Sequence, residues 1–250
     1  MALVTPELCP RETGNSPRSD PSAIRDAESP VEETEAILFA LARAVEQRDQ
    51  ATWGHCERLA LISVTLGVAM GLDRSALITL YRGGYLHDIG KVGIPDSILC
   101  KNGKLTADEW TVMETHCARG EEICRHMKSL EPVLPIIRHH HERWDGTGYP
   151  DGLEGERIPL LARLVQIADI YDALTSRRAY KDLMSEEQAV GIMQDEARRG
   201  WRDPELTTMF IKVHDQVIAR VTRFSESSGT NRDRKRSSLF SLNQFLAWQA

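Results

Sequence analysis

The chain has 250 residues, 41% of them apolar and 27% charged, which is typical of a globular protein with a sizeable core. Its net charge of −6 argues against general nucleic-acid binding, because proteins of that class usually carry a basic surface. No apolar run reaches the roughly 18 residues that span a membrane, and no signal-peptide pattern opens the chain, so we predict a cytoplasmic protein.

The five cysteines are odd in number and include no C-x-x-C pair. We interpret them as reduced thiols, as is usual in the cytoplasm. Cys56 and Cys117 each follow a histidine that is a candidate metal ligand. For both we predict a small buried apolar side chain rather than a ligand.

Composition divides the chain into a folded domain, residues 31–224, and two arms. Residues 1–30 are rich in proline, serine and charged residues, which predicts disorder. Residues 31–48 have apolar side chains at helical spacing and predict an amphipathic helix. Residues 225–250 predict a linker with a basic patch at 232–236 and a short apolar helix, which docks either on the body or on a partner.

The domain shows helical periodicity and almost no strand signal, which predicts an all-α fold, a compact bundle of many helices without a fixed repeat. Thr106 and Glu109 form a capping-box pattern at the start of one helix. Glycine-rich loops are predicted at 90–103 and 142–158. The helix that begins at this capping box is predicted to contain His116. The other predicted helices cover 55–69, 74–87, 119–128, 131–141, 159–174, 185–199 and 204–224.

His87 and Asp88 are adjacent at the end of the predicted helix 74–87, and Gly90 and Lys91 follow them. Neighbouring side chains on a helix point about 100° apart, so the pair does not easily serve one tetrahedral ion. The pair can instead lie beside two metal ions, with the carboxylate bridging them. Such a dipeptide is common on protein surfaces, so its meaning depends on further ligands.

Further candidate ligands come from several segments of the chain, and six of the eight histidines are among them. Neutral imidazoles with carboxylates are the usual ligands of Zn, Mn and Fe. His139 is interpreted as a structural residue or as one that contacts a metal ligand without binding the metal. His126 and His214 are interpreted as ordinary surface or core residues. The candidates are His55, His87, Asp88, His116, His139, His140, His141 and Asp169.

Asp169 lies in an apolar helical segment, where an unpaired carboxylate is costly and needs a strong partner such as a metal. Asp172, one turn later, is predicted to accept a hydrogen bond from a ligand imidazole. Tyr149 lies between Gly148 and Pro150, where it could stack on a base or donate its hydroxyl, although an ordinary turn is the alternative.

These motifs resemble the HD-GYP family, a branch of the HD-domain metal-dependent phosphohydrolases. The resemblance covers residues 32–215 and rests on His87-Asp88, on His140-His141-Glu142 and on the run Asp145–Pro150. It implies an all-α fold and hydrolysis of cyclic dinucleotides, chiefly cyclic di-GMP, to pGpG or GMP in bacterial signalling. We expect a hydroxide activated by the metals to attack phosphorus.

The family pattern also assigns roles to individual residues. His87, Asp88 and Lys91 would be catalytic, with Lys91 on the scissile phosphate, and Tyr149, Arg178 and Lys181 would line the substrate pocket. The expected cofactor is a pair of divalent ions, Fe or Mn before Zn or Ni. The implied metal ligands are His55, His87, Asp88, His116, His140, His141 and Asp169.

The chain departs from the family at two places. Members with a third metal carry a glutamate four residues before the first ligand histidine, where this chain has Ala51, so we predict two metals. The family's Arg-Pro-Tyr-Lys is Arg178-Ala179-Tyr180-Lys181 here. Both charged residues are present, so we expect the substrate contacts to be retained.

Two other functions fit the same motifs. One is a catalytically weak receptor that binds a cyclic dinucleotide and signals through a partner protein, and the near-complete ligand set disfavours it. The other is an HD phosphohydrolase acting on another nucleotide or on a hybrid cyclic dinucleotide. Control is expected through a partner protein, through the C-terminal tail or through a homodimer formed by helix 31–48.

Overall fold

The computed structural model describes residues 30–48, 54–176, 184–229 and 238–247. These residues form helices and loops without a β-strand, so the predicted all-α class is confirmed. Within them, no helix combines the length and the apolar character needed to cross a membrane. The α-helices are α1 (Pro30–Arg48), α2 (His55–Ala69), α3 (Arg74–Leu86), α4 (Asp96–Leu99), α5 (Ala107–Glu114), α6 (His116–Cys124), α7 (Leu134–His139), α8 (Leu160–Thr175), α9 (Glu186–Arg198), α10 (Pro204–Gly229) and α11 (Ser238–Ala247).

Helix α2 lies at the centre of the bundle, in contact with α3, α8 and α10. It is apolar on nearly all sides, as expected of a core helix. Gly84 allows α3 to approach it closely, because a Cβ at this position would lie 2.5 Å from the Cα of Ala60. The end of α3 therefore lies beside the start of α2, and the ring centroids of His55 and His87 are 5.4 Å apart.

The segment that carries Lys91 contains more structure than its glycine content indicates. The predicted loop 90–103 includes most of a 3₁₀ turn, Ile89–Gly93, and the single turn α4. From the end of α1, the Arg48 guanidinium donates hydrogen bonds to the carbonyl oxygens of Lys91 at 3.4 Å and Ile94 at 3.1 Å. A contact between distant segments therefore fixes this turn.

Several helix boundaries differ from the prediction. The helix that the capping box opens ends at Glu114, before His116, and His116 instead begins α6, which ends at Cys124 rather than at the predicted residue 128. The helix predicted at 131–141 starts as a 3₁₀ turn, Lys128–Val133, and becomes α-helical only at Leu134. Pro132 lies in that turn, and a proline has no N–H to continue the hydrogen-bond ladder. Helix α10 continues to Gly229, five residues beyond its predicted end at 224.

The C-terminal helix α11 docks on the body of the protein, against α1 and α3. Leu242 and Phe245 are fully buried, and the Phe245 ring lies 4.9 Å from that of Phe224. Arg220 donates a hydrogen bond to the Phe245 carbonyl oxygen at 3.1 Å. Of the two alternatives for this helix, docking on its own chain is the one observed, while the predicted basic patch lies outside the described residues.

Candidate metal centre and substrate cavity

The structure brings together all seven residues that were predicted as metal ligands, and it divides them into two groups. They come from α2, the end of α3, α6, the end of α7 and α8. Within each group, one ligand atom per residue lies within 4.8 Å of the others. The first group is Asp88, His116, His140 and His141, and the second is His55, His87 and Asp169.

Asp88 connects the two groups. Its Oδ1 lies 3.2 Å from Nε2 of His116, and its Oδ2 lies 3.2 Å from Nε2 of His87. Helix α3 ends at Leu86, so Asp88 lies beyond it with φ −99° and ψ 7°, in the sparsely populated bridge region. This local turn, rather than helical geometry, directs one carboxylate oxygen toward each group.

Hydrogen bonds hold four of the imidazoles in one orientation. In each ring Nδ1 faces an acceptor, so it carries the proton and leaves the lone pair on Nε2, which points toward the groups. The acceptors are Gly84 O for His87 at 2.9 Å, Met113 O for His116 at 2.8 Å, Ile137 O for His140 at 3.0 Å and Asp172 Oδ2 for His55 at 2.6 Å.

Unsatisfied polar atoms lie where the two groups meet. Nε2 of His87 and Oδ1 of Asp88 are buried and have no hydrogen-bond partner of acceptable geometry. A buried lone pair without a partner is costly, and such atoms are rare in native proteins. The imidazole and carboxylate donors therefore fit divalent cations of the first transition series.

Charge in the first group is arranged for cation binding. Burial raises the pKa of Asp88, but the neighbouring Lys91 ammonium holds that pKa well below its usual range. Lys91 Nζ lies 2.8 Å from Asp88 Oδ2. Burial, with His140 and His116 nearby, keeps the pKa of His141 well below its usual value. Near neutral pH the group therefore offers an anionic carboxylate and a neutral imidazole.

Asp172 contacts the imidazole of a candidate ligand, His55, as predicted. Besides accepting from His55, it forms a two-point ion pair with Arg58, whose Nε lies 2.7 Å from Oδ1 and whose Nη2 lies 3.0 Å from Oδ2. Burial raises the pKa of Asp172, but hydrogen bonds from His55 and Arg58 lower it to about 2. The carboxylate is thus a permanent anion that orients His55.

Replacement of Asp172 by Asn is expected to weaken metal binding by about 10- to 100-fold, because the amide no longer provides a charged acceptor for the His55 ring. Competition against a fluorescent chelator measures the affinity. Ser176→Ala is the matched control: it removes another Arg58 partner, at 2.9 Å, without touching His55, and should leave affinity unchanged. Equal affinities for Asp172→Asn and the wild type would contradict the assigned role.

The loop after α7 holds Tyr149 over the first group. Glu142 is fully buried, and its carboxylate accepts the backbone N–H of Asp151 at 2.8 Å and of Leu153 at 3.0 Å. The Tyr149 ring lies 4.9 Å from the His141 ring. Burial raises the pKa of Tyr149 well above its usual value, so the phenol stays protonated and can donate a hydrogen bond to a ligand.

A cavity of about 360 Å³ adjoins both groups, within the range of roughly 300–1,000 Å³ for small-molecule sites. It is lined by predicted residues, including Lys91 and Tyr149, and by residues that the sequence did not indicate, among them Glu46 and Trp110. Glu46 accepts the backbone N–H of His55 at 2.5 Å. Neither residue lies in a recognisable motif. Ala51, Arg178 and Lys181 lie outside the described residues.

Gln166 is a further residue that the sequence analysis missed. Its Nε2 donates to the carbonyl oxygens of His140, at 3.2 Å, and Glu142. It therefore ties α8 to the start of the loop that carries Tyr149. A buried amide within the apolar segment of α8 was the available signal, since such a group needs partners.

The other histidines lie apart from the two groups. Nδ1 of His139 is 3.7 Å from Glu142 and 3.6 Å from Asp151, carboxylates that are already bonded to backbone N–H groups or to arginine. His214 is buried and pairs with a tyrosine hydroxyl at 2.8 Å, and His126 is exposed. His214 also lies beside two carboxylates, Asp215 at 2.9 Å and Glu186 at 3.9 Å. The interpretation of His126 and His214 as ordinary surface or core residues therefore stays a prediction.

The two cysteines beside candidate ligand histidines are buried, as predicted. Burial raises the pKa of Cys56 and Cys117 well above the usual value. Both therefore remain thiols, whereas a cysteine ligand binds metal as the thiolate. Their interpretation as small apolar side chains agrees with this burial.

Comparisons with known proteins place these features in context. The family model described as an HD domain matches residues 40–206. A 3'3'-cGAMP-specific phosphodiesterase 2 of Vibrio cholerae is 39% identical over 190 residues, which cover 75% of this chain and 36% of the relative. The cyclic di-GMP phosphodiesterase response regulator RpfG of Xanthomonas campestris is 38% identical, with coverage of 79% and 53%.

Among solved structures, a cyclic GMP-AMP-specific phosphodiesterase of V. cholerae superimposes with a TM-score of 0.60 at 20% identity. The match covers 84% of this chain and 53% of that one, and it shows a shared fold. The chain spans about half or less of the length of these curated relatives.

Proposed function

Because the chain belongs to the HD domain family, we propose that it is a metal-dependent phosphodiesterase that hydrolyses a cyclic dinucleotide, with cyclic di-GMP as the first candidate. The HD-GYP resemblance of its motifs agrees with that family. The proposal rests above all on Asp88, whose two oxygens each lie 3.2 Å from an imidazole of a different ligand group. A carboxylate in that position suits a pair of metal ions.

Each ligand group would hold one divalent cation, Fe or Mn before Zn or Ni, with Asp88 shared between them. When bound, the two cations would supply Lewis-acid activation of water and compensation of charge at phosphorus. Lys91 would donate to a phosphoryl oxygen and stabilise the charge that grows there. Tyr149 would donate a hydrogen bond from its hydroxyl to the substrate, and Arg178 and Lys181 would line the pocket. The product of the hydrolysis would be pGpG or GMP.

The names of the relatives support this substrate class. Their names include enzymes specific for 3'3'-cGAMP and enzymes for cyclic di-GMP, and both compounds contain two phosphodiester bonds between purine nucleosides. The Tyr149 phenol and the Lys91 ammonium, which lie beside the two ligand groups, are suited to bind the phosphodiester rather than a particular base. Whether the enzyme prefers guanine or adenine must therefore be measured.

Metal-loaded protein, prepared under reducing conditions with Fe(II) or Mn(II), is expected to linearise cyclic di-GMP. A panel with 3'3'-cGAMP, cyclic di-AMP and a deoxynucleoside triphosphate, followed by chromatography, measures the preference. Chelator treatment should abolish turnover and added Mn(II) should restore it, because the activated water depends on the cations.

Two outcomes of this panel would contradict the proposal. Tight binding of a cyclic dinucleotide without turnover, in protein that carries two metal ions per chain, would favour the receptor function. Hydrolysis of the triphosphate alone would favour a different HD phosphohydrolase. Three metal ions per chain would contradict the two-metal assignment but leave the reaction in place.

The predicted homodimer through helix 31–48 and the predicted signalling partner remain proposals. Ile37 and Leu41, one turn apart on α1, are 57% and 51% exposed, while Phe39 and Ala42 pack into the core. Light scattering across a concentration series tests the dimer. A monomer at every concentration would exclude it.

A further inference from the structure

Several side chains that line the cavity are apolar and take no part in the metal chemistry. They include Leu105, Trp110 and Met113 from the region of α5, together with Ala42 and Val45 of α1. Trp110 is the largest of these side chains and is 48% exposed. The cavity therefore combines a polar region suited to phosphate with an apolar region of different chemistry.

Core packing does not account for the position of Trp110. No side chain of helix α5 is fully buried. A capping box between Thr106 and Glu109 holds its start, and Lys101 Nζ lies 2.7 Å from Glu109 Oε1. Since polar contacts fasten this helix, removal of the Trp110 ring should cost the fold little.

Helix α5 is directly connected to the metal centre. Met113 lies three residues after Trp110, on the same face of the helix. The Met113 carbonyl oxygen accepts the Nδ1 proton of His116 at 2.8 Å. The apolar surface of Trp110 and Met113 is thus placed next to a candidate metal ligand.

We propose that Trp110 is the stacking platform for a purine base of the substrate, with Leu105 and Met113 completing the base-binding subsite. The inference rests on the proposed function and deepens it. Divalent ions held by the two ligand groups, together with Lys91, would attract the phosphate, and the nucleoside attached to that phosphate would place its base beside the neighbouring apolar side chains. Every base has a π-face, so an indole platform binds guanine and adenine with similar strength.

The test compares ligands that differ only in the base. GMP, AMP and ribose 5-phosphate are titrated into metal-loaded protein by calorimetry. The wild type should bind both nucleotides about tenfold more tightly than ribose 5-phosphate, as base stacking on an aromatic side chain predicts. Trp110→Ala should abolish that difference and leave the affinity for ribose 5-phosphate unchanged, whereas Trp110→Phe should retain most of it.

Ile123→Ala is the matched control, because Ile123 is an exposed apolar side chain, 39% accessible, that does not line this cavity. It should behave as the wild type. Undiminished GMP binding by Trp110→Ala would overturn the proposal, as would an equal loss of ribose 5-phosphate binding, which would indicate a damaged metal centre. Absence of cyclic-dinucleotide turnover with the base preference intact would refute the phosphodiesterase function and support the base subsite.

Discussion

Replacement of Asp88 by Asn is expected to lower hydrolysis of the cyclic dinucleotide by about 10³-fold or more. Asn keeps the shape of the side chain but lacks the charge and the second anionic oxygen that a carboxylate shared between two cations requires. The loss of Lewis-acid activation corresponds to several kcal/mol of transition-state stabilisation, and each 1.36 kcal/mol is a factor of ten in rate. Initial rates of product formation measure the loss.

Metal content separates this explanation from simple unfolding. Elemental analysis should fall from two ions per chain in the wild type to one or fewer in Asp88→Asn, while circular dichroism stays unchanged. Asp195→Asn, in an exposed pair with Arg198 on α9, is the control and should change neither quantity. Two retained ions together with wild-type turnover would refute the role assigned to Asp88.

Replacement of Gly90 by Ala is expected to destabilise the metal-free protein by about 3 kcal/mol, and thereby to lower its melting temperature by roughly 6–12 °C. A Cβ at this position would lie 1.9 Å from the carbonyl oxygen of His116 and 2.5 Å from the backbone N of Gly120. Both are backbone atoms of α6, which do not rotate aside as the end of a side chain would. Helix α6, which carries His116, must therefore shift.

Urea denaturation of chelator-treated protein measures this loss without a contribution from metal binding. Gly191→Ala provides the matched control, since Gly191 lies within α9 and no atom would lie within 4 Å of the added Cβ. That substitution should stabilise the protein by about 0.5–1 kcal/mol, the gain of alanine over glycine in a helix. Equal urea midpoints for Gly90→Ala and the wild type would contradict the close packing of Gly90 against α6.

Helix ends could be predicted where the contacts that fix them lie close together in the sequence. Thr106 and Glu109 form the predicted capping box, and Asp73 caps α3 by accepting the N–H of Ala76 at 2.8 Å. Such contacts lie within one turn of a helix, so sequence reveals them. The turn Ile89–Gly93 depends instead on Arg48, some forty residues earlier, and no local pattern indicated it.

The sequence by itself indicated the all-α class and eight candidate ligands, because periodicity is a local property and because few side-chain types bind transition metals. The resemblance to the HD-GYP family then reduced the ligand set to seven. Only the tertiary structure decided how those ligands divide into two groups, since the φ and ψ of Asp88 place its carboxylate between them. It also brought Glu46 and Trp110 to one cavity. The physical reason is that packing of helices, rather than any spacing along the chain, determines which distant side chains share a site.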